Sequence, residues 1–116
     1  MARIDRVEEL LKREIVQVIH RQLDPVKVGF ITVTKVEVDK DFSVAKVFYS
    51  QIGSDEDKKR TRSFLSTAAG YIKGEIGRVI RMKQMPRVRF IFDDTIEKAA
   101  ALVARINEIS KEDAER

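Results

Sequence analysis

The chain has no cysteine, which excludes disulfides, thiolate nucleophiles and thiolate metal sites and fits a reducing compartment. It has one histidine, His20, so no histidine dyad or histidine metal cluster can be built from it, and a solvent-facing structural role on the first helix is expected. No apolar run approaches the ~20 residues of a membrane span. The opening MARIDRVEELLKREIV is too charged for the apolar stretch of a secretion signal, and the expectation is a cytoplasmic protein with no membrane partner. A G-x-x-x-x-G-K-[ST] phosphate loop is also missing. Asp93-Asp94 is readable as a pair of metal ligands, but it stands where a strand feeds a helix, and capping explains it better. These absences leave no catalytic residue, metal or cofactor to assign, and point to a binding protein rather than an enzyme.

What is present is charge. Of 116 residues, 36% are charged and 43% apolar, enough for one modest core and one domain, with no repeat, linker or low-complexity tract. Between Lys58 and Arg89 stand ten basic residues (Lys58, Lys59, Arg60, Arg62, Lys73, Arg78, Arg81, Lys83, Arg87, Arg89) against one acid, Glu75, a net of +9. The remainder holds thirteen basic and eighteen acidic residues, a net of −5. A stretch of one sign is the electrostatic footprint of a polyanion-binding face, because each neutralised phosphate releases condensed counterions. A solvated helix surface usually mixes its signs. An acidic protein partner docking on the same face is the alternative from another class.

The order of elements follows from periodicity. Ile4, Val7, Leu10, Leu11, Ile15, Val18, Ile19 and Leu23 fall on one helical stripe that Asp24-Pro25 ends. FITVTKVEV and SVAKVFYSQI are β-rich segments joined by DKDF, a hairpin turn. In the first, Ile31 and Val33 share one face while Val36 and Val38 fall on the other, which predicts a bulge near Thr34-Lys35. Ser54 followed by Asp57 opens a second helix. Val88, Phe90 and Phe92 face one side of a third strand, opposite Arg87, Arg89 and Ile91. Asp94-Thr-Ile-Glu97 resembles a capping box for a last helix, whose Ile96, Ala99/Ala100, Val103, Ile106 and Ile109 have helical spacing and whose stripe core burial explains better than a dimer does. SKEDAER (110–116) reads as a frayed tail. The fold class is α+β, with helices on one face of a small sheet.

Three of the five glycines lie in AAGYIKGEIGRVIRMK, a helical segment by the spacing of Ile72, Ile76, Val79 and Ile80, although each interior glycine costs about 1 kcal/mol against alanine. Gly70, Gly74, Gly77 and Arg81 line one stripe, edged by Arg78 and Lys73, so a phosphodiester backbone can approach closely. Gly70 equally well caps the end of a helix. Gly74-Glu75-Ile76-Gly77 has the letters of a Gly-x-x-Gly nucleic-acid loop, but Ile76 belongs to the apolar stripe and Glu75 repels phosphate. Tyr71 is expected as a half-buried core residue, with stacking on an unpaired base the less favoured role.

The element order resembles a KH domain of type II order. DPVKVGFITVTKVEVDKDFSVAKVFYSQIG, AAGYIKGEIG and MPRVRFIFDDT resemble the bacterial ribosome-binding factor A family over nearly the whole chain. The resemblance implies a single KH-like RNA-binding domain over 1–116, ordered α-β-β-α-kink-α-β with a C-terminal helix. In it an interrupted helix at Ala-x-Gly, here Ala68-Ala69-Gly70, replaces the Gly-x-x-Gly loop. It further implies an assembly factor that binds the small (30S) ribosomal subunit and 16S rRNA late in maturation, assists rRNA folding and processing, supports growth in the cold and leaves before translation. A monomer, with an assembly GTPase among its partners, would fit that role. Asp24-Pro25-Val26-Lys27 departs from an Asp-Pro-Arg pattern and Arg81-Met82-Lys83 from Arg-Leu-Arg, while Asp39 and Thr95 stand where serines are common. Only Val26 loses a cation.

Overall fold

β-Branched residues at period two, one slip in that period, and two long apolar stripes at period 3.6 decide the architecture. The computed structural model describes residues 3–22 and 30–115. Its elements are α1 (Arg3–Gln22), β1 (Phe30–Val38), β2 (Val44–Ile52), α2 (Asp55–Val79), β3 (Arg87–Phe92) and α3 (Thr95–Glu115). The sheet has the order β1-β2-β3, antiparallel between β1 and β2 and parallel between β2 and β3, with α2 as the crossover. The chain is therefore α+β, three helices with a three-stranded mixed sheet.

The expected bulge is present. Val33 pairs with Tyr49 and Lys35 with Phe48, so Thr34 is the extra residue, and Val33, Val36 and Val38 all reach the core. Lys12 Nζ donates to the Thr34 carbonyl (3.4 Å), and Thr34 Oγ1 donates to Asp93 Oδ2 (3.0 Å) with the Phe48 carbonyl 3.3 Å away. At the end of β1, Glu8 Oε2 accepts from the Val38 amide at 2.7 Å and ties the strand to α1. The turn after it puts Phe42 at φ 59°, the left-handed region an aromatic residue rarely enters. Asp39 holds that turn, its carboxylate accepting from Ser43 Oγ (2.6 Å) and from the amides of Ser43 (2.8 Å) and Val44 (3.0 Å). Those bonds, the Ser43 hydroxyl foremost, lower its pKa to about 2.

Leu11, Ile15, Val18 and Ile19 of α1 and Leu65, Ile72 and Ile76 of α2 close over one sheet face made by Val33, Val36, Val38, Ala45, Val47, Tyr49 and Val88. Tyr49 packs edge-on against Phe90 and Phe92, with ring centroids 6.4 and 5.7 Å away. His20 is exposed, as its lone position suggested.

Four expectations are corrected. The helix is not interrupted at Ala68-Ala69-Gly70: α2 runs unbroken for 25 residues, and Gly70 has no left-handed backbone. Leu65, Ala68, Ile72 and Ile76 stay in helical phase across that point. A break would throw out two fully buried isoleucines, each contributing about 1.5–3 kcal/mol, more than the glycines cost. Val79 leaves the stripe and is 61% exposed, while Ile80 caps the helix through its amide to the Ile76 carbonyl (2.8 Å). The last helix does not cover the core: Ile96, Leu102, Val103, Ile106 and Ile109 are 52–64% exposed. Helix α3 also continues through Glu115, where a frayed tail was expected from 110. The helix stop at Asp24-Pro25 and the Val26-Lys27 departure lie outside the described residues.

Candidate nucleic-acid interface

Helix α2 presents a fixed outer surface because both its ends and its inner stripe are anchored. Ser54 Oγ accepts from the Asp57 amide and Asp57 Oδ2 accepts from the Ser54 amide, each at 3.1 Å, a reciprocal capping box at the helix start that these two residues signalled in the sequence. The Ser54 amide also lowers the Asp57 pKa. A Cβ at Gly53 would stand 3.1 Å from Asp57 Oδ2, so the box closes over a position without a side chain. With Leu65, Ile72 and Ile76 facing the sheet, the residues at other helical phases are committed to solvent.

The ten predicted cations do not form one flat face. Lys59, Arg60, Arg62, Arg78, Arg81, Lys83, Arg87 and Arg89 are exposed and Lys73 is half-buried. Lys59, Arg60, Arg62, Lys73 and Arg78 line the outer part of α2. Arg60 and Arg78 lie loosely beside Asp57 (3.9 Å) and Glu75 (3.5 Å), one helical turn away. Beside β3, Arg62 and Arg89 line, with Tyr49, Ser66, Ala69, Val88 and Phe90, a depression of about 240 Å³. Burial raises the Tyr49 pKa, and Arg62 opposes that shift. Arg87 and Arg89 alternate with buried Val88 and so belong to the open face of the sheet. There Arg89 stands beside Lys46, which the basic-stretch count missed because it lies earlier in the chain; period-two alternation in β2 would have found it.

Arg81 lies past the end of α2 and not on the glycine stripe. With Lys83 and Arg3 it rims a cleft of about 770 Å³ floored by Val7, Leu10, Phe42, Ile80 and Met82. Lys58 is set apart from the other nine: its ammonium pairs with Glu97 and lies 5.6 Å from the Phe92 ring centroid. Glu97 accordingly raises the Lys58 pKa. This pair also replaces the expected capping box of α3. Asp93 Oδ1 accepts from the Thr95 amide (3.0 Å), and Asp94 caps through its carbonyl and a 3.2 Å ion pair to Lys98. The Asp93 pKa is lowered by bonds from Thr95 and Thr34. Among the described residues no group of three acidic or histidine side chains could hold a metal ion, and no helix is long and apolar enough to cross a membrane.

Gly70, Gly74 and Gly77 are exposed, and a Cβ built at any of them meets nothing within 4 Å. No helix of the described residues packs there, so packing among them does not require these glycines. Tyr71, expected as a half-buried core residue, is 52% exposed and lies outside the core cluster, and Phe64 two turns before it is 43% exposed.

The sequence profile of ribosome-binding factor A matches residues 3–106. A ribosome-binding factor A of Chromobacterium violaceum is 39% identical over 99% of this chain and 83% of its own length, and that of Acetivibrio thermocellus is 41% identical over 95% and 90%. The crystal structure of ribosome-binding factor A from Thermus thermophilus superposes with a TM-score of 0.67 at 28% identity, over 78% of this chain and 96% of that one. A Thermus thermophilus homology model fitted into the cryo-EM map of a complex between the 30S subunit and this factor superposes with a TM-score of 0.64, also at 28% identity, over 76% and 92%. A profile spanning most of the chain, relatives near 40% identity and a shared fold place this chain in the ribosome-binding factor A family.

Proposed function

We propose that the chain binds the small (30S) ribosomal subunit through 16S rRNA, in the cytoplasm, and assists its late maturation by binding and not by catalysis. The observation that carries this reading is the outer surface of α2. Lys59, Arg60, Arg62, half-buried Lys73 and Arg78 lie there with Glu75 as the one acid beyond the first turn, which holds Asp55, Glu56 and Asp57, and beside them three glycines leave room for a close-approaching backbone. The neighbour fitted into a 30S complex lends support from the family side. Arg62, Arg87 and Arg89 extend the cationic surface round the edge of β3, and Arg81 and Lys83 extend it past the end of the helix. Lys58 is assigned to holding α3.

Phosphate contacts provide affinity and orientation but little sequence information, so the rRNA is selected by shape. By binding one rRNA arrangement more tightly than its competitors, the protein shifts the folding equilibrium by that difference in affinity and no more. Help with rRNA end processing and growth in the cold, where RNA misfolds are slow to resolve, are the consequences expected of such a factor.

The test is sedimentation of the protein with mature and immature small subunits over a range of salt, beside an Arg78→Glu/Arg81→Glu variant, with nuclease treatment of the bound fraction. Salt-sensitive, nuclease-sensitive binding that the variant loses is the expected result. Binding that survives complete RNA digestion would assign the basic surface to an acidic protein instead.

A further inference from the structure

Phe64 and Tyr71 differ from Phe42, Phe48, Tyr49, Phe90 and Phe92. Tyr49 packs on Phe90 and Phe92, Phe48 lies 4.6 Å from Lys35 Nζ, and Phe42 lies 6.0 Å from the Arg3 guanidinium carbon. The rings of Phe64 and Tyr71 have no such ring or cation neighbour among the described residues, and both are about half exposed. Seven residues apart, they lie on nearly the same helical phase and about 10 Å from each other along the axis of α2. Arg60 stands one turn before Phe64, Thr67 between the rings, and Arg78 two turns beyond Tyr71, all on the same side of the helix.

We infer that Phe64 and Tyr71 form a stacking platform for two unpaired bases of a single-stranded RNA segment whose phosphates lie along Arg60 and Arg78. This rests on the RNA-binding reading above and narrows its ligand from rRNA backbone in general to an unpaired strand. Duplex RNA buries its base faces and offers these rings nothing, whereas a single strand presents a π-face at every nucleotide. A helix surface with two open rings and flanking guanidiniums combines the two features that sequence-tolerant single-strand binders use. An acidic peptide would engage the arginines but leave the ring faces unused.

The test compares Phe64→Leu, Tyr71→Leu and Tyr71→Phe with the unaltered protein, using a short oligoadenylate, an RNA duplex of equal charge, and purified small subunits. Leucine keeps an apolar side chain without a π-face, and melting temperatures verify that each variant folds. The expected result is a loss on the order of tenfold in oligoadenylate affinity for each leucine variant and near-full binding by Tyr71→Phe. Duplex affinity and the slope of affinity against salt should not change, because no phosphate contact is lost. Leucine variants that bind oligoadenylate and small subunits as the unaltered protein does would overturn the platform. The wider RNA reading would survive that result if Arg78→Glu/Arg81→Glu still abolished co-sedimentation, and both would fall if the unaltered protein bound no RNA and no subunit.

Discussion

Leu11 and Ile15 of α1 are fully buried, whereas Val103 and Ile106 of α3, at comparable helical spacing, are more than half exposed. Both helices have an apolar stripe and a polar face, so amphipathicity alone does not separate them. Available sheet does. Three strands about 4.8 Å apart make a surface that two helices about 10 Å in diameter already cover, and α1 and α2 occupy it. Helix α3 begins right after β3, where Thr34 and Asp93 hold the chain at the sheet end and Lys58 takes Glu97. An apolar stripe states a need for burial; topology decides whether the chain itself meets it.

The sharpest way to break this contrast is to truncate one residue in each stripe. Ile15→Ala should lower unfolding free energy by about 3 kcal/mol in urea melts, the cost of a cavity at a fully buried site. Ile106→Ala should change it by about 0.5 kcal/mol or less. Equal losses would mean that α3 is packed in solution.

The outer surface of α2 offers a second contrast, between stability and contact. Gly74→Ala and Gly77→Ala should each stabilise the protein by up to about 1 kcal/mol, since the added methyl meets no neighbour and improves helix propensity. The same substitutions should weaken small-subunit binding if the glycines admit a backbone. Higher melting temperature with unchanged binding would remove that role from the stripe. Ser54→Ala should cost about 1 kcal/mol by opening the capping box, with hydrogen exchange rising in the first turn of α2 and not in α3.

A smaller effect comes from acid. Asp39, Asp57 and Asp93 all have lowered pKa values in the folded chain. The stability they contribute is therefore full above the ordinary carboxyl value of 3.8 and is lost as pH falls; for Asp39 the loss runs down to about 2. Asp39→Asn should flatten the fall in melting temperature over that window, and an unchanged slope would show that the turn does not depend on the carboxylate.

Much of the fold was legible in local pattern. The slip between Val33 and Val36 located the bulge because side-chain alternation leaves no other way for both to reach one core. Ser54 and Asp57 announced the start of α2 by their spacing. The expected break at Ala68-Ala69-Gly70 failed because glycine permits a kink without requiring one, and the buried residues on either side kept their phase. Grouping the basic residues by position in the chain merged three surfaces, since a strand sends Arg87 and Arg89 away from the face on which α2 packs. Lys58 was indistinguishable from its neighbours until Glu97, 39 residues later, came alongside it. Phe64 escaped attention because an aromatic residue in an apolar-looking helix reads as core until its phase is compared with that of Leu65.

The root of α3 is small and its reach is long. Asp93 is bonded to Thr34 in the bulge, and Glu97 is paired with Lys58 at the start of α2, so two side-chain contacts four residues apart tie the root of a 21-residue helix to the rest of the fold. That helix is about 30 Å long, and a pivot of about 10° at its root would carry its far end about 5 Å. A small shift of Lys58 against Glu97 is thus magnified along α3, which makes the helix a pointer whose bearing is read where α2 begins.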